Sequence, residues 1–353
     1  VFCIKIMKPK RTTIKDIAKH LGLSVSTVSR ALNDSKNIKK ETKDLIRETA
    51  HALNYRSNPI GLSLKHGVTN TIGVLVPEMV TPFASEVITG IQETLNKTGY
   101  KVIIAQSDED PVRERENLQL MENFMVDGII ICPCDYKTNK KEYLRLQDNG
   151  IPIVFYDRIP FGMNVPNVIV DDYRETFFMI EHLIRLGRRK IVYIQGPNYI
   201  YNSVERIRGY KDALNKFSIS YDESLVVYTG MTFDDGGVAA EKLLNRGVKF
   251  DAIFTFTETL ALGAMNYLKY NQIKIPKEVA MASFSGTILS TVVYPQLTSI
   301  EQPKKMMGET AANLILEKIA NPSVANKKII LSSEIKLRAS TEISLLKKDI
   351  ETQ

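Results

Sequence analysis

The sequence predicts an α/β protein: a small three-helix head with a helix-turn-helix, joined to a two-lobed body of doubly wound parallel sheets. Three observations carry this. The basic charge is concentrated at one end, a helix–glycine–helix signature lies within that basic stretch, and from about residue 70 short apolar runs alternate with amphipathic ones. Of 353 residues, 44% are hydrophobic and 25% charged, too apolar for a disordered chain. The formal net charge is +7. Residues 1–66 hold 14 Lys/Arg against 5 Asp/Glu, a net of +9, and the other 287 hold 33 against 35, a net of −2. A basic module on a near-neutral body suits a polyanion-binding head.

Several classes are excluded or disfavoured. Three Cys do not frame a disulfide scaffold and fit a reducing compartment. No apolar run approaches the roughly 20 residues of a membrane helix, so no membrane partner is expected. The opening apolar stretch is too short and too poorly flanked for a signal peptide. Met7 is read as the start, residues 1–6 as an upstream extension, residues 1–8 as lying before the head, and the protein as cytoplasmic.

In the head, assigned to residues 9–56, Ile14, Ile17, Ala18 and Leu21 recur at helical spacing. Gly22 allows the chain to turn, and Ser24 can cap a second helix whose Val25, Val28 and Leu32 point inward. A third helix over 41–53 brings Leu45, Ile46, Ala50 and Leu53 to close a miniature core. Two short helices around a tight turn make a helix-turn-helix. The second helix leaves Ser26, Thr27, Ser29 and Arg30 outside, groups suited to base edges and phosphates in a major groove.

In the body, assigned to 70–341, strands are expected over 71–76, 101–105, 128–131, 153–156, 190–194, 225–228, 252–256 and 279–284. Most are apolar throughout, as strands buried on both faces of a parallel sheet must be. Helical periodicity fills 83–98, 112–125, 174–186, 204–217, 237–246 and 260–270. Four strands precede the stretch 158–168 and four follow it, which predicts two similar lobes with a ligand cleft beyond the carboxyl ends of the strands. Lobe 1 is assigned about 70–169 and 299–325, lobe 2 about 170–298 and 326–341, and 342–353 a loose tail.

The head sequence Thr-Ile-Lys-Asp-Ile-Ala…Gly-Leu-Ser…Thr-Val-Ser-Arg-Ala-Leu-Asn, followed by Leu-Asn-Tyr-Arg-Ser-Asn, resembles the lactose-repressor (LacI/GalR) family. The body carries the same resemblance. It shows in Thr71-Ile-Gly-Val-Leu-Val-Pro77, Thr81-Pro-Phe83, Val126-Asp-Gly-Ile-Ile130, Asp157-Arg158, His182-Leu-Ile184, Gly196-Pro197, Glu205-Arg206-Ile-Arg-Gly209-Tyr210, Pro295-Gln-Leu-Thr298 and Gln302-Pro303. The match runs from about Thr12 to Thr341.

The resemblance implies a periplasmic-binding-protein-like core, and a homodimeric repressor that binds a pseudo-palindromic double-stranded DNA operator under control of a small-molecule effector. That effector is expected to be a sugar or sugar derivative. The second helix would read bases through Val25 and Ser26, with Ser24, Thr27, Ser29 and Arg30 beside them. Thr13 and Asn33 resemble phosphate anchors, and Tyr55 and Asn58 are assigned to the DNA-binding set. Residues 57–69 are assigned as a hinge, ordered on DNA, whose Leu64 would wedge between base pairs. Ser57, Gly61 and Leu62 depart from the family's usual Pro, Ala and Arg. Gly costs about 1 kcal/mol of helix stability relative to Ala, so Gly61→Ala should tighten operator binding; a mobility-shift titration showing unchanged or weaker binding would count against this.

For the effector, the resemblance points to Phe83, Asp157 and, above all, Arg206, with Phe233 as an aromatic wall beside the less specific Tyr199 and Tyr201. Thr257-Glu258 stands where the family usually has Asn-Asp, and Ser285 where it has a strand-ending Asp. Both substitutions remove a strong polar partner, while Glu258 keeps a carboxylate nearby.

Catalytic signatures are lacking. The four His are scattered, Cys132-Pro133-Cys134 has no second pair, and no phosphate-cradling or nucleophile motif occurs. Asp108-Glu109-Asp110 reads as a solvated cluster or cleft rim. No enzyme, cofactor or metal is expected. The alternative of a two-lobed solute-binding protein without DNA regulation is opposed by the basic head and the missing export signal.

Overall fold

The computed structural model describes residues 12–55 and 68–342. The chain divides into two compact units, Val1–Thr69 and Asn70–Gln353. The hinge positions Ser57, Asn58, Gly61, Leu62 and Leu64, the extension before the head, and the tail beyond Glu342 lie outside the described residues.

In the head, α1 is Ile14–Leu21, α2 Val25–Leu32 and α3 Lys40–Ala52. Thr13 and Asp16 form a capping box on α1, and Gly22 ends it with φ 61°, a left-handed value that costs glycine nothing. Ser24 caps α2, its Oγ accepting from the Thr27 N–H at 3.1 Å. Ile17, Ala18, Val28, Ala31, Ile46 and Ala50 are buried together, with Ile14, Leu21, Leu32 and Leu53 half-buried around them. Two expected core residues face out. Val25 is 42% exposed, and Leu23, in the turn, packs against the core instead. Leu45 is 51% exposed, about 100° around the helix from Ile46.

The body holds two six-stranded sheets. The first runs β11 (Lys328–Leu331), β5 (Asn167–Val170), β4 (Ile153–Tyr156), β3 (Gly128–Ile131), β1 (Thr71–Val76) and β2 (Lys101–Gln106), all parallel. The second runs β12 (Glu334–Lys336), β10 (Thr298–Glu301), β9 (Ala280–Phe284), β8 (Ala252–Thr255), β6 (Ile191–Gln195) and β7 (Val226–Tyr228). Only β12 is antiparallel there. All eight expected strands form. The four unexpected ones have plain reasons. β5 is a four-residue strand that begins at the end of the stretch read as a divider, β10 is the polar run Thr-Ser-Ile-Glu, and β11 and β12 are short edge strands that expose Lys328 and Glu334.

The helices of the body are α4 (Pro82–Lys97), α5 (Pro111–Asn123), α6 (Lys140–Asp148), α7 (Asp172–Arg185), α8 (Tyr201–Lys216), α9 (Phe233–Asn245), α10 (Glu258–Tyr270), α11 (Leu289–Val292) and α12 (Lys304–Ala320). They pack in pairs, α4 with α12, α7 with α8 and α9 with α10. The third pair, like the first, meets at glycines with no room for a side chain. A Cβ on Gly263 would lie 1.9 Å from the Phe233 carbonyl oxygen, and one on Gly236 would lie 2.2 Å from that of Leu260.

The expected lobe boundaries need correcting at the carboxyl end. β10 pairs with β9 and so belongs to lobe 2, not lobe 1. α12 then packs on α4 of lobe 1, and β11 extends the lobe 1 sheet by pairing with β5, so 326–331 is not in lobe 2. The polypeptide therefore passes between lobes three times, at 171, at 302–303 and at 332–333. The exchange follows from hydrogen bonding, since each edge needs a partner strand and the late segments supply one to each sheet.

Candidate functional site

A cavity of about 380 Å³ opens beyond the carboxyl ends of the strands, and all six residues expected at the effector site line it: Phe83, Asp157, Arg206, Phe233, Thr257 and Ser285. Short segments place them. Phe83 opens α4 and Phe233 opens α9, while Asp157 and Ser285 immediately follow β4 and β9. These last two have φ of 58° and 62°, so the backbone turns sharply at each strand end. Thr257 caps α10, accepting from the Leu260 N–H at 3.4 Å. The tight α9–α10 contact fixes Phe233 relative to Thr257.

Arg206 forms the floor. It is 2% exposed and stacked between the rings of Phe256 and Phe284, 4.4 and 3.5 Å from their centroids. Its Nε donates to Asp172 at 2.7 Å and its Nη1 to the Phe256 carbonyl at 2.6 Å. Burial pushes the Asp172 carboxyl up to about 7; the Arg206 guanidinium opposes that rise and nearby Asp157 adds to it. Asn202, one turn before Arg206, donates to Asp172 at 3.2 Å and to the Asp157 carbonyl at 3.2 Å.

The two departures from the family pattern are already engaged within the protein. Ser285 donates to Gln302 Oε1 at 2.6 Å, and Gln302 Nε2 donates to Asp157 at 3.1 Å. Glu258 is buried and accepts from the Thr287 N–H at 2.9 Å and from the hydroxyls of Thr287 and Ser290. Its carboxylate lines the cavity but braces the loop before α11. Tyr199 lines a separate, polar pocket of about 280 Å³ with Asp135, Tyr136 and Lys137, and Tyr201 starts α8 half-buried, so neither joins the walls.

Wall residues outside the expected set include Arg158, Asn202, Met231 and Phe256, together with Glu109, whose cluster was expected only as solvated or as a cleft rim. Arg158 makes a two-pronged pair with Glu109, at 2.7 and 2.8 Å, and its Nη2 approaches Met231 Sδ at 3.8 Å across the lobes. The placement of Asn202 four residues before Arg206 was a readable signal, since i and i+4 share a helix face. Among the described residues, no group of three His, Cys, Asp or Glu is placed to hold a metal ion. Cys132 and Cys134 are buried, and burial pushes both thiols up.

In the head, Val25, Ser26, Arg30, Thr13, Ser24 and Asn33 are exposed, while Thr27 and Ser29 are half-buried. Thr13 and Ser24 spend their hydroxyls on caps, and Asn33 Nδ2 donates to the Ser29 carbonyl at 2.8 Å. Tyr55 is half-buried against the head core. The exposed end of α2 therefore presents Val25, Ser26 and the helix's own free N–H groups.

Residues 69–341 match the family model for periplasmic binding proteins and the sugar binding domain of the LacI family. Residues 13–58 match that for bacterial regulatory proteins of the lacI family. The chain is 31% identical to the catabolite control protein A of Priestia megaterium, over 94% of this chain and 99% of that one. A transcriptional regulator CelR–cellobiose complex is 26% identical with a TM-score of 0.72, covering 94% and 100% of the two chains. The lac repressor dimer bound to operator and an anti-inducer is 20% identical and shares the fold, with a TM-score of 0.80 over 94% and 99%. With both models matched in order along a common two-lobed fold, this chain belongs to the lacI family of bacterial regulatory proteins.

Proposed function

We propose that the chain is a cytoplasmic repressor and not an enzyme: a homodimer reads a pseudo-palindromic operator through α2, and a sugar or sugar derivative in the body cavity controls it. One observation carries the ligand half, namely that Phe83, Asp157, Arg206, Phe233, Thr257 and Ser285 converge on one cavity. The cellobiose bound to a relative of similar length supports the sugar class. Family membership, the net +9 of residues 1–66 and the exposed start of α2 support the DNA half. A single small head gives little specificity, and two heads on a two-fold body match the half-sites of a palindrome. No helix among the described residues is long and apolar enough to cross a membrane.

In the head, Val25 and Ser26 contact bases, Ser24, Thr27, Ser29 and Arg30 flank them, Thr13 and Asn33 anchor phosphates, and Tyr55 belongs to the DNA-binding set; Asn58 and Leu64 belong to the hinge. Effector and operator are coupled through the body, so each changes the other's affinity by the same factor. The test is a mobility-shift assay on DNA upstream of the protein's own coding region, with and without sugars. A sequence-specific shift that is lost on deleting residues 1–66 is the expected result. No specific shift under any ligand condition would overturn the regulatory reading. A specific shift by the deleted form would overturn the assignment of the head.

A further inference from the structure

The charges around the cavity are arranged in an uneven way. Four carboxylates line it, those of Glu78, Glu109, Asp157 and Glu258, against two guanidiniums, those of Arg158 and Arg206. The formal charge of the wall is therefore −2. Each cation is already engaged by a carboxyl group: Arg158 by both oxygens of Glu109, Arg206 by Asp172 behind the floor. Among the described residues, Glu78 and Glu258 make no ion pair, and Asp157 has only the through-space attraction of Arg158, whose guanidinium Glu109 holds. Their oxygens are held by neutral donors, the N–H groups of Val80 and Thr81 for Glu78, the Gln302 amide for Asp157, and Thr287 with Ser290 for Glu258.

We propose that this cavity selects uncharged, hydroxyl-bearing ligands and rejects their phosphorylated forms, with Glu109 setting the discrimination by withholding Arg158. The inference rests on the reading of the cavity as the effector site. Two polar edges are left on the floor. Nη2 of Arg206 has no hydrogen-bond partner among the described residues, and Asn202 Oδ1 is buried without one. Asn202 itself is 1% exposed, and its Nδ2 is committed to Asp172 and the Asp157 carbonyl, so the atom left over is the acceptor. A free donor on Arg206 and a free acceptor on Asn202, cavity-lining residues four apart on α8, match a hydroxyl, which serves as both. A phosphate offers only acceptors and would set an anion against Asn202 Oδ1 as well as against the excess of carboxylates. A cationic ligand gains little, because the carboxylate oxygens already hold donors. Phe83, Phe233 and Phe256 supply flat apolar surface for the C–H face of a sugar ring.

Calorimetric titration and thermal shift of the full chain with matched pairs test this: glucose and glucose 6-phosphate, ribose and ribose 5-phosphate, adenosine and its 5′-monophosphate, with cellobiose added. The neutral member of the pair that binds should exceed its ester by at least about 100-fold. Glu109→Gln releases Arg158 and should narrow that gap at least about tenfold, with the far-UV circular dichroism unchanged. The wild-type comparison stands alone if that variant folds poorly. An ester that binds wild type as tightly as its neutral partner, and loses binding in Arg206→Lys, overturns the selectivity while leaving the cavity as the effector site. Binding of no compound, or binding indifferent to Arg206→Lys, overturns the reading of the cavity itself.

Discussion

Replacing Arg206 by Met tests how the floor of the cavity is held together. The guanidinium stacks between two rings and makes two short hydrogen bonds, one of them to a carboxyl poised near neutrality. Below pH 7 the carboxyl is largely protonated, so the loss comprises the hydrogen bonds and ring contacts that Met does not replace, about 2–3 kcal/mol. Above pH 7 the wild type keeps Asp172 ionised against Arg206, whereas the variant must hold it neutral. The cost then grows by about 1.4 kcal/mol per pH unit, reaching roughly 5 kcal/mol at pH 9. That range overlaps what removing one partner of a buried ion pair generally costs. Urea denaturation followed by far-UV circular dichroism at pH 6 and pH 9 measures it. The same substitution in an Asp172→Asn background should cost the same at both pH values. An equal cost at pH 6 and pH 9 in the native background would refute the coupling of the two residues.

Other expectations follow from the same geometry. Because the fold raises the Asp172 pKa, its contribution to stability is fully present at low pH and is lost as pH climbs from about 4 to about 7. Wild type should lose up to about 4 kcal/mol relative to Asp172→Asn over that interval in denaturant melts. Gly263→Ala sets a Cβ against the Phe233 carbonyl, a backbone atom that moves only with its helix. It should cost about 1–3 kcal/mol in thermal melts and weaken binding of whichever sugar the wild type takes up. Ser24→Ala removes the cap of α2 and should lower head stability by about 1 kcal/mol in urea melts. Val25→Ala, at an exposed position, should leave the melting of the head nearly unchanged while altering base preference in an operator-variant binding screen.

How much could be read in advance differs between elements. Buried parallel strands announce themselves as unbroken Ile and Val, and all eight such runs form. β10 does not, because in Thr298 to Glu301 the burial of two hydroxyl residues is made tolerable by hydrogen bonds only the fold reveals, such as Thr298 Oγ1 to the Arg338 carbonyl at 3.0 Å. The three crossings between lobes were invisible for a related reason: a four-residue edge strand carries no mark of which sheet it will complete. In the cavity, Arg206 and Asp157 were legible through the motifs around them. Glu109 was legible only as part of a solvated cluster or cleft rim, because its pairing with Arg158 spans 49 residues of sequence. Val25 was pulled two ways, apolar and at a helical position yet also at the end of α2 proposed to read bases, and its exposure places it on the surface.

The triple crossing also bears on how the protein emerges from the ribosome. Neither lobe is a continuous segment. The first sheet gains its edge at Lys328–Leu331, about 160 residues after the strand it pairs with, and the second gains its own edge only at Glu334–Lys336. A nascent chain that has made residues 70–300 therefore holds both sheets with an open edge and α4 without the helix that covers it. Contacts so distant in sequence close slowly, and unpaired edges invite association with other chains. The two halves are thus sealed together by the last 40 or so residues of the body, and a truncation there removes the closure of both lobes at once.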